Sequence, residues 1–100
     1  MEETSYRQSR LCRLLGNPLA FAVVELLAEN RELSVSEIAR VVGRSVQRVS
    51  TVLGVLRVAE VVRYQADGKR NRYRLKHPGE VRSILNALGR FVRSASTVRE

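Results

Sequence analysis

Apolar residues recur along this chain at two different periods, and the change of period divides it into helices and one hairpin. Within residues 5–15, Tyr6, Leu11, Leu14 and Leu15 fall on one side at helical spacing, and Gly16-Asn17-Pro18 then supplies a stop and a restart. Asn17 is placed to cap a second helix with Pro18 at its first position, and Leu19, Phe21, Val23, Val24, Leu26 and Leu27 follow. A stretch this apolar predicts a largely buried central helix. Ser34, with Glu37 three residues on, forms a capping box ahead of Ile38, Ala39, Val41 and Val42, and Gly43 closes that third helix. Ser45 caps a fourth, in which Val49, Val52, Leu53, Leu56 and Ala59 recur at three and four. Joined by Gly43-Arg44, helices three and four read as a helix-turn-helix.

Beyond Glu60 the pattern becomes β-like, with Val61 to Ala66 and Lys69 to Leu75 flanking Asp67-Gly68. An Asp-Gly pair in this position predicts a type I′ turn, since both central residues of that turn need positive φ. Alternation then puts Tyr73 and Leu75 on the packed face and Arg72 and Arg74 on the other, with Lys69 and Arg70 at the turn. Pro78 opens a last helix whose stripe of Val81, Ile84, Leu85, Leu88, Phe91, Val92 and Ala95 is strong enough to require a packing partner. The expected fold class is mainly α with a small β-hairpin, five helices in all, and residues 1–100 read as one domain.

A domain of 100 residues buries a modest share of its surface, so a second subunit would add to its stability. With 44% hydrophobic residues, two prolines and six glycines, the chain is of globular composition. No apolar run reaches membrane-spanning length and the stretch from Met1 to Arg10 has no signal-peptide core, so a cytoplasmic protein is expected. Charge adds more. The net charge is +8, and from Arg44 to Lys76 nine basic residues face only Glu60 and Asp67, so most of the excess sits in the helix-turn-helix and hairpin. Such a concentration favours a polyanionic partner, nucleic acid first and an anionic membrane surface second, and beside a helix-turn-helix the expected partner is double-stranded DNA.

In a helix-turn-helix the second helix presents its N-terminal residues to base edges. Val49, Leu53 and Leu56 set the inward face, which leaves Arg44, Ser45, Val46, Gln47, Arg48, Ser50 and Thr51 as candidate DNA contacts. Gln47 suits adenine, Arg48 suits guanine or a phosphate, and Val46 or Thr51 suits a thymine methyl. Lys69, Arg70, Arg72 and Arg74 of the hairpin are candidate phosphate or minor-groove contacts, or else charges defending an edge strand. Enzymatic chemistry lacks its parts: the chain has one His and one Asp, no clustered acid pair and no glycine-rich phosphate loop.

The residues resemble the ArsR/SmtB-type winged helix-turn-helix repressors from Leu11 to Val92. Leu15-Gly16-Asn17-Pro18 with Val23 to Leu27 is similar to the family's L-x-D-P-T-R-x-x-I-L-x-L-L segment. Ser45, Val49, Ser50, Leu53, Leu56 and Arg57 match its recognition helix, and Gly68 to Leu75 its wing. Glu32 to Ile38 stands where metal-sensing members have E-L-C-V-C-D-L, but with Ser34 and Ser36 in place of both cysteines. The last helix, from Glu80 to Arg93, has no His or Asp, so no metal site and no cofactor is expected. Val52 and Glu60 replace a histidine and a glycine of the family pattern.

The resemblance implies a homodimeric, sequence-specific transcriptional repressor. It dimerises through Tyr6, Leu11, Leu14 and Leu15 of the first helix and Val81, Ile84, Leu85, Leu88, Phe91 and Val92 of the last. An architectural DNA-coating protein and a winged-helix protein-interaction module are the alternatives. The single cysteine, Cys12, cannot form an internal disulfide and reads as a helix-face residue near the dimer contact, with a thiol that oxidises or binds a metal between subunits as the other reading.

Overall fold

Capping explains where the helices begin. The computed structural model describes residues 2–30 and 32–98. α1 (Glu3–Leu15) starts under Glu2, whose carboxylate accepts the Ser5 amide at 3.2 Å, two residues earlier than the apolar pattern indicates. α2 (Pro18–Glu29) is capped by Asn17, whose Oδ1 accepts the Ala20 amide at 3.0 Å. α3 (Val35–Val42) has the full capping box: Ser34 Oγ accepts from the Glu37 amide at 3.2 Å, and Glu37 Oε1 accepts from the Ser34 amide at 2.8 Å. Gly43 ends it in the left-handed region, at φ 71°. Three residues later α4 (Val46–Val58) begins under Ser45, whose Oγ accepts the Arg48 amide at 3.1 Å.

At its C-terminus α4 closes in a Schellman arrangement. Val61 N–H donates to Leu56 C=O at 2.9 Å and Glu60 N–H to Arg57 C=O at 3.0 Å. The residue that turns the chain is Glu60 at φ 67°, a position usually given to glycine because a Cβ is strained there. Val61 then continues into β2 (Val62–Asp67), which pairs antiparallel with β3 (Arg70–Leu75). α5 (Pro78–Val98) follows.

The sheet has three strands, one more than the hairpin the sequence suggests. Leu33–Ser34 forms β1 and pairs with Tyr73 and Arg72, giving the order β1-β3-β2. Two residues carry no alternation signal of their own, so only the tertiary pairing reveals them. The turn also lies one residue further on than Asp67-Gly68. Asp67 pairs with Arg70, so the loop is Gly68-Lys69, and within it the positive φ belongs to Gly68 alone. That is the type II′ pattern, with glycine at the first central position, rather than type I′.

α2 is the central element, as its composition predicts: Ala20, Val23, Val24 and Leu27 are buried together with Ile38 of α3 and Val49, Leu53 and Leu56 of α4. Val61, Val62 and Leu75 bring the sheet onto the same core. Each of the buried Val, Leu and Ile side chains contributes about 1.5–3 kcal/mol of burial. Among the described residues no single helix is long and apolar enough to cross a membrane.

Candidate nucleic-acid interface

The position of α4 is decided from behind. Val49, Leu53 and Leu56 recur at four and three, are fully buried, and lock one face of the helix into the core. The opposite side at the N-terminal end is therefore held outward, and Val46, Gln47, Arg48, Ser50 and Thr51 are all exposed. Thr51 Oγ1 donates to Gln47 C=O at 3.1 Å, which binds its hydroxyl to the helix while the residue stays exposed. Ser45 spends its oxygen as a cap, so its first role is to orient the helix start. Arg44 is exposed in the turn, with Nη1 donating to Gly43 C=O at 3.1 Å.

The sheet has two chemically different faces. Val62, Tyr64, Tyr73 and Leu75 share one face: Val62 pairs with Leu75 and Tyr64 with Tyr73, whose rings lie 5.8 Å apart. Arg57 of α4 lies over the Tyr64 ring at 4.8 Å, so this face belongs to the α4 side. Arg63, Gln65, Arg72 and Arg74 alternate onto the other face. Lys69 is exposed at the tip beside Gly68; the Arg70 side chain lies outside the described residues.

Arg72 is engaged within the molecule. Its Nε donates to Glu32 Oε1 at 3.0 Å and its Nη2 to the Glu32 carbonyl at 3.4 Å, with the Arg72 side chain 24% exposed. The pair spans forty positions and clamps the wing to the approach of β1, which alternation along one strand cannot show. Lys76 Nζ donates to Glu60 Oε1, and this bond and the lysine charge hold the Glu60 carboxyl below its ordinary pKa. The residues singled out for DNA thus separate into the front of α4, the wing tip, and Arg72 and Arg74 on the far face of the sheet.

The residues singled out for dimerisation separate as well. Leu11, Leu14, Leu15, Val81 and Leu85 pack against the chain's own core. Tyr6, Ile84, Leu88, Phe91 and Val92 stay exposed, Phe91 at 73%. Cys12 is exposed on α1. Where metal-sensing relatives carry thiolates, Ser34 is buried as a helix cap and Ser36 is exposed; these hydroxyls do not make a soft-metal site.

Comparison with known proteins agrees with this geometry. The family model HVO_A0114 matches residues 17–84. A comparison with curated proteins finds no match. Among solved structures, Rv0081 of M. tuberculosis is similar at a TM-score of 0.86 and 28% identity, over 97% of this chain and 96% of its own. HlyU from Vibrio cholerae is similar at 0.79 and 26%, over 91% of this chain and 97% of its own. The transcriptional repressor BigR from Xylella fastidiosa is similar at 0.77 and 31%, over 88% of both chains. The chain belongs to the HVO_A0114 family and is an ArsR/SmtB-type winged helix-turn-helix protein that lacks the metal-ligand motifs of the metal-sensing members.

Proposed function

We propose that the chain is a sequence-specific DNA-binding transcriptional regulator, acting as a repressor and as a homodimer, with residues 1–100 forming one DNA-binding unit. α4 enters the major groove, and the wing tip with Lys69 and Arg70 meets the backbone or minor groove. The observation that carries this reading is the front of α4, where the exposed Val46, Gln47, Arg48, Ser50 and Thr51 stand on a fully buried base of Val49, Leu53 and Leu56. Gln47 and Arg48 have base-reading chemistry, and Val46 and the Thr51 methyl suit thymine. Support for repression is the likeness to BigR, itself described as a transcriptional repressor. No catalytic step and no cofactor enters this reading.

The dimer rests on the exposed row of Ile84, Leu88, Phe91 and Val92 on α5, with Tyr6 of α1 as a further exposed ring. Leaving such a row in water costs the burial it would gain against a second copy. A twofold dimer also places two copies of α4 to read an inverted repeat about one helical turn apart.

The test is selection from a pool of random duplexes at two salt concentrations, with the mass of the complex measured. Recovery of an inverted repeat bound by two chains is the expected result. Tight, salt-sensitive binding without a consensus would overturn sequence specificity in favour of DNA coating. Absence of binding would overturn the DNA reading altogether.

A further inference from the structure

The far face of the sheet holds an arrangement that folding alone does not favour. Arg63 and Arg74 are direct cross-strand partners on that face, both exposed, and among the described residues neither has an acidic partner. Like charges placed opposite each other destabilise a strand pair. They line a cleft of about 670 Å³ between the sheet, the end of α2 and the start of α5. Lys76 and Arg82 line it too, against Glu32, whose carboxylate is already taken by Arg72. Arg82 Nε donates to Ala28 C=O at 3.0 Å, which fixes the side chain across the gap from α5 to α2. A smaller recess of about 120 Å³ shares Glu32, Arg63 and Arg74 with this cleft.

We propose that this cleft is a binding site for a small organic anion carrying at least two negative charges. Arginine forks bind phosphate or carboxylate groups bidentately, and an anion between Arg63 and Arg74 converts their repulsion into two charge-assisted contacts. Pro78 supplies the exposed apolar contact for the carbon body of the ligand, above the buried Leu27 and Leu75, and the cleft volume falls in the range of small-molecule sites. The Arg63 and Arg74 pair lies on the face of the sheet away from Arg57, and no residue of α4 lines the cleft, so the site is separate from the proposed base-reading row. It stands whether or not the chain binds DNA.

The experiment titrates the full chain with inorganic pyrophosphate at constant ionic strength, by calorimetry and by thermal melting. Saturable binding of one pyrophosphate per chain is expected, with a rise in melting temperature. Arg63→Gln and Arg74→Gln should each weaken it roughly tenfold, the loss of one charge-assisted contact, while Lys69→Gln at the wing tip changes it little. Without pyrophosphate, Arg63→Gln should melt no lower than the parent, since it removes a repulsion. Binding that does not saturate, or that falls as much with Lys69→Gln as with Arg74→Gln, would overturn the proposal as general attraction to a basic surface. So would a drop in random-duplex affinity for Arg74→Gln equal to that for Lys69→Gln with pyrophosphate binding unchanged, because the cleft would then be part of a DNA footprint.

Discussion

Two exposed cations of the same charge have different work in the proposed complex, and substitution separates them. Arg48 stands in the outward row of α4, and a bidentate base contact from it is worth about 1–3 kcal/mol of discrimination. Arg48→Ala should therefore narrow the gap between operator and random duplex, whereas Lys69→Ala should weaken both alike and lower the salt slope by roughly one. Equal losses on both duplexes for Arg48→Ala would remove its reading role. Glu60 presents a different balance, between a left-handed backbone at φ 67° and an ion pair with Lys76 at the surface. Strain at a residue with a Cβ outweighs an exposed pair, so Glu60→Gly should raise the melting temperature; a fall would show that the pair matters more. The Glu60 carboxyl titrates below its ordinary value of 4.5, so the stability it adds is present above that pH and disappears as pH falls through the lowered pKa. Against Glu60→Gln, the wild-type advantage should be constant near neutrality and shrink below about pH 4.5.

At the scale of the element, α3 depends on its start more than on its length. It has eight residues, too few to persist alone, and its reciprocal cap is what the sequence signals most clearly. Ser34→Ala should cost about 1 kcal/mol, and somewhat more because Ser34 is buried beside β3, as read by chemical denaturation. The wing is tied by Glu32 and Arg72. If Arg72 serves chiefly as that clamp, Arg72→Ala and Glu32→Ala should lower DNA affinity together, by loosening β1 and β3. A phosphate contact by Arg72 predicts the opposite sign for Glu32→Ala, since losing an acid near the wing would then strengthen binding. The capping motifs, the helix-turn-helix spacing and the alternation of β3 were all legible in the sequence because each is set within a few residues. The clamp was not, because its partners are forty positions apart and neither is unusual in its own surroundings.

At the scale of the whole molecule α5 divides its apolar stripe between the core and solvent. Its stripe reads as continuous in the sequence, yet Val81 and Leu85 are spent on the chain's own core while Ile84, Leu88, Phe91, Val92 and Ala95 remain outward. Phe91→Glu should leave the fold intact, since Phe91 is 73% exposed, but give a monomer by sedimentation and reduce operator affinity well beyond tenfold by uncoupling the half-sites. A dimer that survives Phe91→Glu would move the interface elsewhere. The far face of the sheet belongs to this scale too: alternation places Arg72 and Arg74 there, but only the register brings Arg63 opposite Arg74 and only the packing of α2 and α5 makes a cleft of the three elements.

Local chemistry was sufficient for the order of elements. Ser34, Ser45 and Asn17 cap their helices, Gly43 closes α3, the apolar period sets the inward face of α4, and Ser34 and Ser36 stand where thiolates would be needed. Each of these depends on a residue and neighbours within one turn. What only the tertiary structure decided depends on contacts distant in sequence, β1 as a third strand, the Glu32–Arg72 clamp and the division of the α5 stripe, and on the strand register that moves the turn one residue on. An apolar residue in a helical stripe is marked for burial by its pattern, but which surface buries it is a property of the packed chain, and Phe91 and its neighbours stay exposed in the packed chain.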